Sequence, residues 1–261
     1  TGNSIRMPSH FCGVAGIKPT AGRVSRAGHA ISYSGYLESW TQVGPMARYL
    51  DDLALVLPII SGPDGVDPHM APVPLGDPTK VAIRGLRVAY HANNGMVTPT
   101  PETQAAVRAA AQLLRDRGAR VEERVPPDLP TFADGWMQVA FGDGGAWVRR
   151  LLAQAGTPGN GSMSWLAGAG DAPAGELSRL IEEMDAWRSR MLAFMQNVDV
   201  ILCPVHPTPA VPHGGSGSPG FGRGDYYSAA YNVTGWPGAG LAWASVGVSG
   251  GRVMPLGLPD P

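Results

Sequence analysis

Near the start of the stretch TGNSIRMPSHFCGVAGIKPTAGRVS, Ser4 follows Gly2 and Asn3. Glycine and asparagine hold backbone conformations that most residues avoid, so a turn of this composition can aim several backbone N–H groups at one point. An oxyanion hole has that requirement: preorganised donors placed where negative charge develops on a carbonyl under attack. A Gly-Asn-Ser triplet is equally an ordinary turn, and these residues alone leave both readings open. Thr1 offers a second chemistry, in which its hydroxyl attacks while its own amine serves as base. Arg6 and Arg23 stay protonated, so they read as loop-anchoring donors rather than acid catalysts.

The elements that must position this stretch fall in a clear order. Residues 1–45 are glycine-rich and read as loops threading between short strands or turns, with no helix. In ARYLDDLALVLPIISG, Leu50, Leu53, Ala54, Leu57 and Ile60 recur at helical spacing, with Gly62 suited to the C-terminal cap and Pro58 set to kink or shorten the last turns. Residues 64–79 are rich in Pro, Gly and Asp and read as a surface connection. GLRVAYH (85–91) is a short buried strand. Thr100 then caps a helix with Pro101 first inside it, Glu102 in its first turn and Gly118 at its end, and 119–127 alternates as a strand. This strand-helix-strand unit over 85–125 points to an α/β fold. Residues 131–198 read as mainly helical, and 198–212 as a buried strand running into a proline-rich loop. Trp136, Met137, Trp147, Trp165, Trp187 and Met191 are either core or the wall of an apolar pocket.

Composition removes several classes of function. The 261 residues carry 20 Lys+Arg against 21 Asp+Glu, a net charge of -1, which gives no electrostatic footprint for nucleic acid or an anionic membrane. A small neutral substrate fits better. Cys12 and Cys203 are the only cysteines and lack redox or zinc spacing, so two reduced, buried thiols are expected. The six histidines show no metal-site spacing, and neither a metal nor a cofactor is expected. No apolar run reaches the roughly 18 residues of a membrane span, and the default expectation is a soluble cytoplasmic protein.

The opening residues also resemble a known family. Ser4-Ile5-Arg6-Met7-Pro8, Phe11-Cys12-Gly13-Val14, Gly16, Lys18-Pro19-Thr20 and Gly22-Arg23-Val24-Ser25 match in register the hallmark of the amidase signature family. The likeness continues through Gly44-Pro45-Met46-Ala47-Arg48, Gly62-Pro63-Asp64, the Gly85-Leu86-Arg87 strand, DVILCP and YNVTGWPG, and so covers roughly residues 1–238. It implies an α/β amidase signature fold, a mixed β-sheet core covered by helices and incomplete in this chain. Residues 1–261 would form one partial amidase domain whose tail departs from the family pattern after about 238.

The resemblance also implies roles. Ser4 is the nucleophile that attacks an amide carbonyl, and the backbone N–H groups of Thr1, Gly2, Asn3 and Ser4 are the oxyanion donors. Asn3 stands where the family more often has glycine. The family's base lysine and its proton-relaying, cis-peptide serine lie upstream of this motif. Lys18 matches the Lys-Pro-Thr position, which is not that base, and a structural role is expected of it. On this reading the partner is a small-molecule amide, hydrolysed through a serine acyl-enzyme, with no nucleic acid and no membrane. A homodimer of the full-length enzyme is left open. The isolated chain, lacking the base, is expected to turn over little or nothing. Two rival functions remain: an N-terminal-threonine hydrolase using Thr1, and the ammonia-supplying subunit of a glutamyl-tRNA amidotransferase. Against the latter, Ser39-Trp40-Thr41-Gln42-Val43 departs from the usual sequence of such subunits and no basic patch is evident.

Overall fold

The computed structural model describes residues 3–29, 40–157, 171–215, 224 and 226–241. The strand-helix-strand unit forms as the sequence predicts: β3 (Arg87–Tyr90), α3 (Pro101–Asp116) and β4 (Arg120–Glu123). Thr100 caps α3 by accepting from the Thr103 N–H at 3.4 Å, and Pro101 takes the first turn, where a missing N–H costs no helical bond. β5 (Val200–Leu202) pairs with the other side of β3, giving a parallel sheet of order β4-β3-β5. Val88, Ala89 and Tyr90 on the middle strand are buried, whereas β4 keeps Arg120, Glu122 and Glu123 exposed. At the start of the sheet the Asp199 carboxylate takes both the Arg87 backbone N–H and its guanidinium, at 2.8 and 2.6 Å.

A second, antiparallel sheet places β1 (Ala15–Lys18) between β2 (Met46–Ala47) and β6 (Gly238–Gly240). The sheet thus joins residues 16–18 to residues 220 to 224 positions later. Here the structure corrects the sequence reading, because Arg6–Cys12 is a helix, α1, not a loop. Pro8 lies in its first turn and Gly13, at φ 68°, closes it by donating its N–H to the Ser9 carbonyl. Both signals stand in the sequence, but the density of glycines around them masks a helix of only seven residues.

α2 (Leu50–Ile60) spans the expected stripe and carries Pro58 inside its last turn, with Gly62 at φ 113° one residue beyond the Ser61 cap. Of the predicted stripe only Leu53 is buried; Leu50 is 54% exposed, because among the described residues nothing packs over that side. The connection over 64–79 is largely exposed, as its composition predicts, with one exception. Asp67 is buried against Arg26, receiving the Arg26 backbone N–H at 3.0 Å and its Nε at 3.2 Å.

The helical layer consists of α4 (Leu129–Ala140), α5 (Ala146–Gln154), α6 (Ala174–Met195) and the short α7 (Ala230–Val233). Its core is built from Phe132 and Val139 of α4, Leu180, Met184, Trp187 and Met191 of α6, and Ala230 and Val233 of α7, with Trp40 added from an irregular segment. Trp187 and Met191 are therefore core residues, and Trp136 packs against that core from outside. Trp165 lies outside the described residues. No helix among the described residues is long and apolar enough to cross a membrane.

Candidate active site

Ser4 sits two residues before α1, exposed, on a segment whose other members are buried: Asn3 (5% exposed), Ile5 and Arg6. The chain tightens there at once, with the Met7 N–H donating to the Asn3 carbonyl at 3.0 Å and the Ser9 N–H to the Ile5 carbonyl at 3.1 Å. Neither the N–H nor the hydroxyl of Ser4 is engaged by a described residue. Of the four residues expected to donate to an oxyanion, Asn3 and Ser4 are described; Thr1 and Gly2 lie outside the described residues.

α1 rests directly on the antiparallel sheet, and small residues make this approach feasible. Gly16 of β1 pairs with Gly240 of β6. A Cβ on Gly240 would lie 3.0 Å from both Cα and O of Arg6, and one on Gly16 would lie 2.1 Å from Ser9 Oγ. Ser9 cannot easily yield, since it is fully buried and its hydroxyl donates to the Ile5 carbonyl at 2.7 Å. Gly16→Ala should therefore destabilise the fold by about 2 kcal/mol or more through overpacking. A urea titration checks this, and an unshifted midpoint would contradict the packing described. The sequence contains Gly16, but only the fold shows that it lies under the segment carrying Ser4.

Polar anchors complete the frame. The Arg6 guanidinium donates to the Asn232 side-chain carbonyl, and Asn232 Nδ2 donates in turn to the Trp40 backbone carbonyl at 2.8 Å. Lys18, 1% exposed, directs its Nζ to the Pro19 carbonyl at 3.1 Å and to the Trp236 carbonyl. Burial, then the nearby Arg6 charge, brings its pKa down to about 7. A neutral amine has two N–H groups, and these two carbonyls use both. Its contacts are those of a structural lysine. On the far side of α1, a ring nitrogen of His10 lies 2.9 Å from the Thr208 carbonyl, and the rings of Phe11 and His206 meet edge to face at 5.2 Å. Arg23 donates to the Val73 carbonyl at 3.0 Å. Arg23 thus joins two loop segments, whereas Arg6, expected to anchor a loop, ties helix α1 to Asn232 of α7.

The cysteines depart from expectation. Cys203 is half-buried, its Sγ enclosed near Tyr231 Oη at 3.8 Å, and burial pushes its thiol up to about 11. Cys12 is exposed, because it ends α1 where the chain turns through Gly13 toward β1, and Gly13 faces open space. Both are free thiols. Sequence reasoning assigned no role to Asn232, although it stands in the quoted YNVTGWPG stretch; its partner is 226 residues away, a pairing that no local pattern encodes.

Comparison with known proteins adds a family to this geometry. The sequence model of the Amidase family matches residues 1–258. A glutamyl-tRNA(Gln) amidotransferase subunit of Roseiflexus sp. (strain RS-1) is 34% identical over 245 residues, which cover 82% of this chain and 49% of that protein. Fatty-acid amide hydrolase 1 of Sus scrofa is 32% identical over 197 residues, 74% of this chain and 32% of the relative. Among solved structures, a fatty acid amide hydrolase superposes with a TM-score of 0.74 at 26% identity, covering 91% of this chain and 42% of that one. The chain spans at most about half the length of these relatives. With the motif around Ser4 in register and the same α/β architecture beneath it, the chain belongs to the amidase signature family.

Proposed function

We propose that this chain carries the nucleophile of an amide hydrolase and that Ser4 is that nucleophile. One observation carries the reading: Ser4 is exposed on a segment whose neighbours, Asn3, Ile5 and Arg6, are buried and anchored. A hydroxyl presented outward from a rigid frame meets the geometric demand of covalent catalysis. In the reaction, Ser4 Oγ bonds to the amide carbonyl carbon and the C–N bond breaks, with the serine's proton passing to the leaving amine. Water then attacks the acyl ester, releasing the acid and restoring the hydroxyl. The backbone N–H groups of Ser4, Asn3, Gly2 and Thr1 are the proposed oxyanion donors. The base is not Lys18, whose amine is committed to the Pro19 and Trp236 carbonyls; the resemblance places that group upstream of the motif. The substrate class is a small carboxylic acid amide, cleaved to the acid and ammonia or an amine.

A second reading has support of its own in the 34% identity to a glutamyl-tRNA(Gln) amidotransferase subunit. Hydrolysis of glutamine in preference to aryl and alkyl amides would favour it. The primary test treats the purified chain, and the chain extended to the length of its relatives, with a fluorophosphonate. Its phosphorus bonds to a reactive serine oxygen as fluoride leaves. The expected result is an adduct on the Ser4 peptide of the extended chain, absent in its Ser4→Ala variant together with aryl-amide hydrolysis, and little or no adduct on the chain without that extension. An adduct elsewhere, or turnover that survives Ser4→Ala, would overturn the assignment and turn attention to Thr1.

A further inference from the structure

Asn232 lies at the other end of the sequence from Ser4, yet it holds the residue two positions beyond it. It is 2% exposed and sits in α7, a helix of four residues whose Val233 carbonyl receives Arg188 Nε of α6 at 2.8 Å. Its side-chain carbonyl accepts from the Arg6 guanidinium. Its amide nitrogen donates to the Trp40 carbonyl at 2.8 Å and lies 3.4 Å from Gln42 Oε1. Arg6, 3% exposed, is clamped on its other side by β6, where a Cβ on Gly238 would come within 3.1 Å of its Nη1. A side chain held in this way has little room to change rotamer, and its backbone is the first residue of α1.

We propose that Asn232 is a positioning residue for the nucleophile: through Arg6 it fixes the backbone at Ser4 and so the direction of the Ser4 hydroxyl and N–H. This inference rests on Ser4 being the nucleophile. Of all side chains, asparagine and glutamine alone pair an acceptor with donors on one planar amide, and the shorter of the two spans the gap between Arg6 and the Trp40 carbonyl. Misplacement of a reacting group by about 1 Å can cost on the order of 10²-fold in rate. A rigid second partner behind the reacting residue is the usual protection against that loss.

The experiment measures the rate and saturation of Ser4 phosphonylation in the extended protein, beside a urea titration of each variant. Wild-type labelling at Ser4 is the condition that tests the nucleophile itself; if it is absent, this inference falls with that reading. Given labelling, Asn232→Leu should slow the maximal rate by about 10- to 100-fold with the half-saturating probe concentration little changed. Asn232→Asp keeps an acceptor facing Arg6 but sets a carboxylate oxygen against the Trp40 carbonyl where the amide donated, and its labelling rate should fall between those of wild type and Asn232→Leu. Arg6→Met should slow labelling as Asn232→Leu does, and the double variant should be no slower than either single one, because the two act as one unit. A residue that only stabilised the fold would shift the urea midpoint and leave the rate of the folded protein unchanged, and that result overturns the proposal. Should Asn232→Leu not fold, Arg6→Met decides: a folded Arg6→Met variant that labels at the wild-type rate overturns the proposal, and one slowed tenfold or more supports it.

Discussion

Between pH 7 and pH 9 the stability of the protein against urea should rise by about 2 kcal/mol, and above pH 9 it should level and then fall again. The rising limb comes from Lys18. Its folded pKa of about 7 lies below the ordinary value of 10.5, for reasons of burial first and the Arg6 charge second. Across that interval the unfolded chain binds a proton that the folded chain does not, so raising the pH favours folding by about 1.4 kcal/mol per unit. Below pH 7 the lysine is protonated in both states and this dependence ends. The falling limb has the opposite origin. Burial holds the Cys203 thiol at about 11 and the Tyr227 phenol at about 12, and pushes Tyr231 well up. These groups lose their protons first in the unfolded chain, so stability declines once the pH passes their ordinary values near 9 and 10. Lys18 and Lys80 are the only lysines, and Lys80 is exposed, which leaves the rising limb to one residue. Urea titrations from about pH 6.5 to 10.5 on wild type and Lys18→Met provide the measurement. The variant should lose the rise while keeping the fall. A wild-type profile flat between pH 7 and 9 would mean that Lys18 is charged in its buried site.

Trp187→Ala should cost about 3–5 kcal/mol, the range for removing a fully enclosed large aromatic side chain. Trp187 is 1% exposed, its ring stacks on Phe132 at 5.0 Å between centroids, and it belongs to the cluster that joins α4, α6 and α7. The loss would combine transfer of the indole's apolar surface to water with a cavity that three helices cannot collapse to fill. The effect should reach the site as well, because α7 carries Asn232 and is held to α6 through Arg188, the residue that follows Trp187. Leu192 of the same helix is the control. At 53% exposed it has little to lose, and Leu192→Ala should stay within about 0.5 kcal/mol of wild type. Urea midpoints compare the two directly. Equal shifts would contradict the assignment of Trp187 to the core.

Much of the fold was legible because its signals are local. The Thr100 cap, the proline after it and the alternation of apolar and polar residues specify β3, α3 and β4 within one stretch of chain, and their parallel pairing follows from that connection. α6 was equally plain, since a 22-residue helix repeats its spacing many times over. α1 was not, because seven residues hold barely two turns and its flanking glycines argue for loop as strongly as for helix termination. The burial of α2 was overestimated for a related reason: periodicity shows which side could be covered, not whether a neighbour covers it.

The candidate site divides along the same line. In the sequence, a serine after Gly-Asn left an ordinary turn and an oxyanion hole equally open, and the resemblance of its surroundings to the amidase signature family is what singled out Ser4 and a class of reaction. Those conclusions depend on residues adjacent in the chain. The tertiary structure decided what sequence order cannot express: that Gly16 and Gly240 meet beneath α1, that Lys18 commits its amine to two backbone carbonyls, and that Asn232 grips Arg6. Each is a contact between segments whose meeting depends on how the sheets and helices pack together, and packing is a property of the whole chain, with no local trace in the residues that it brings together.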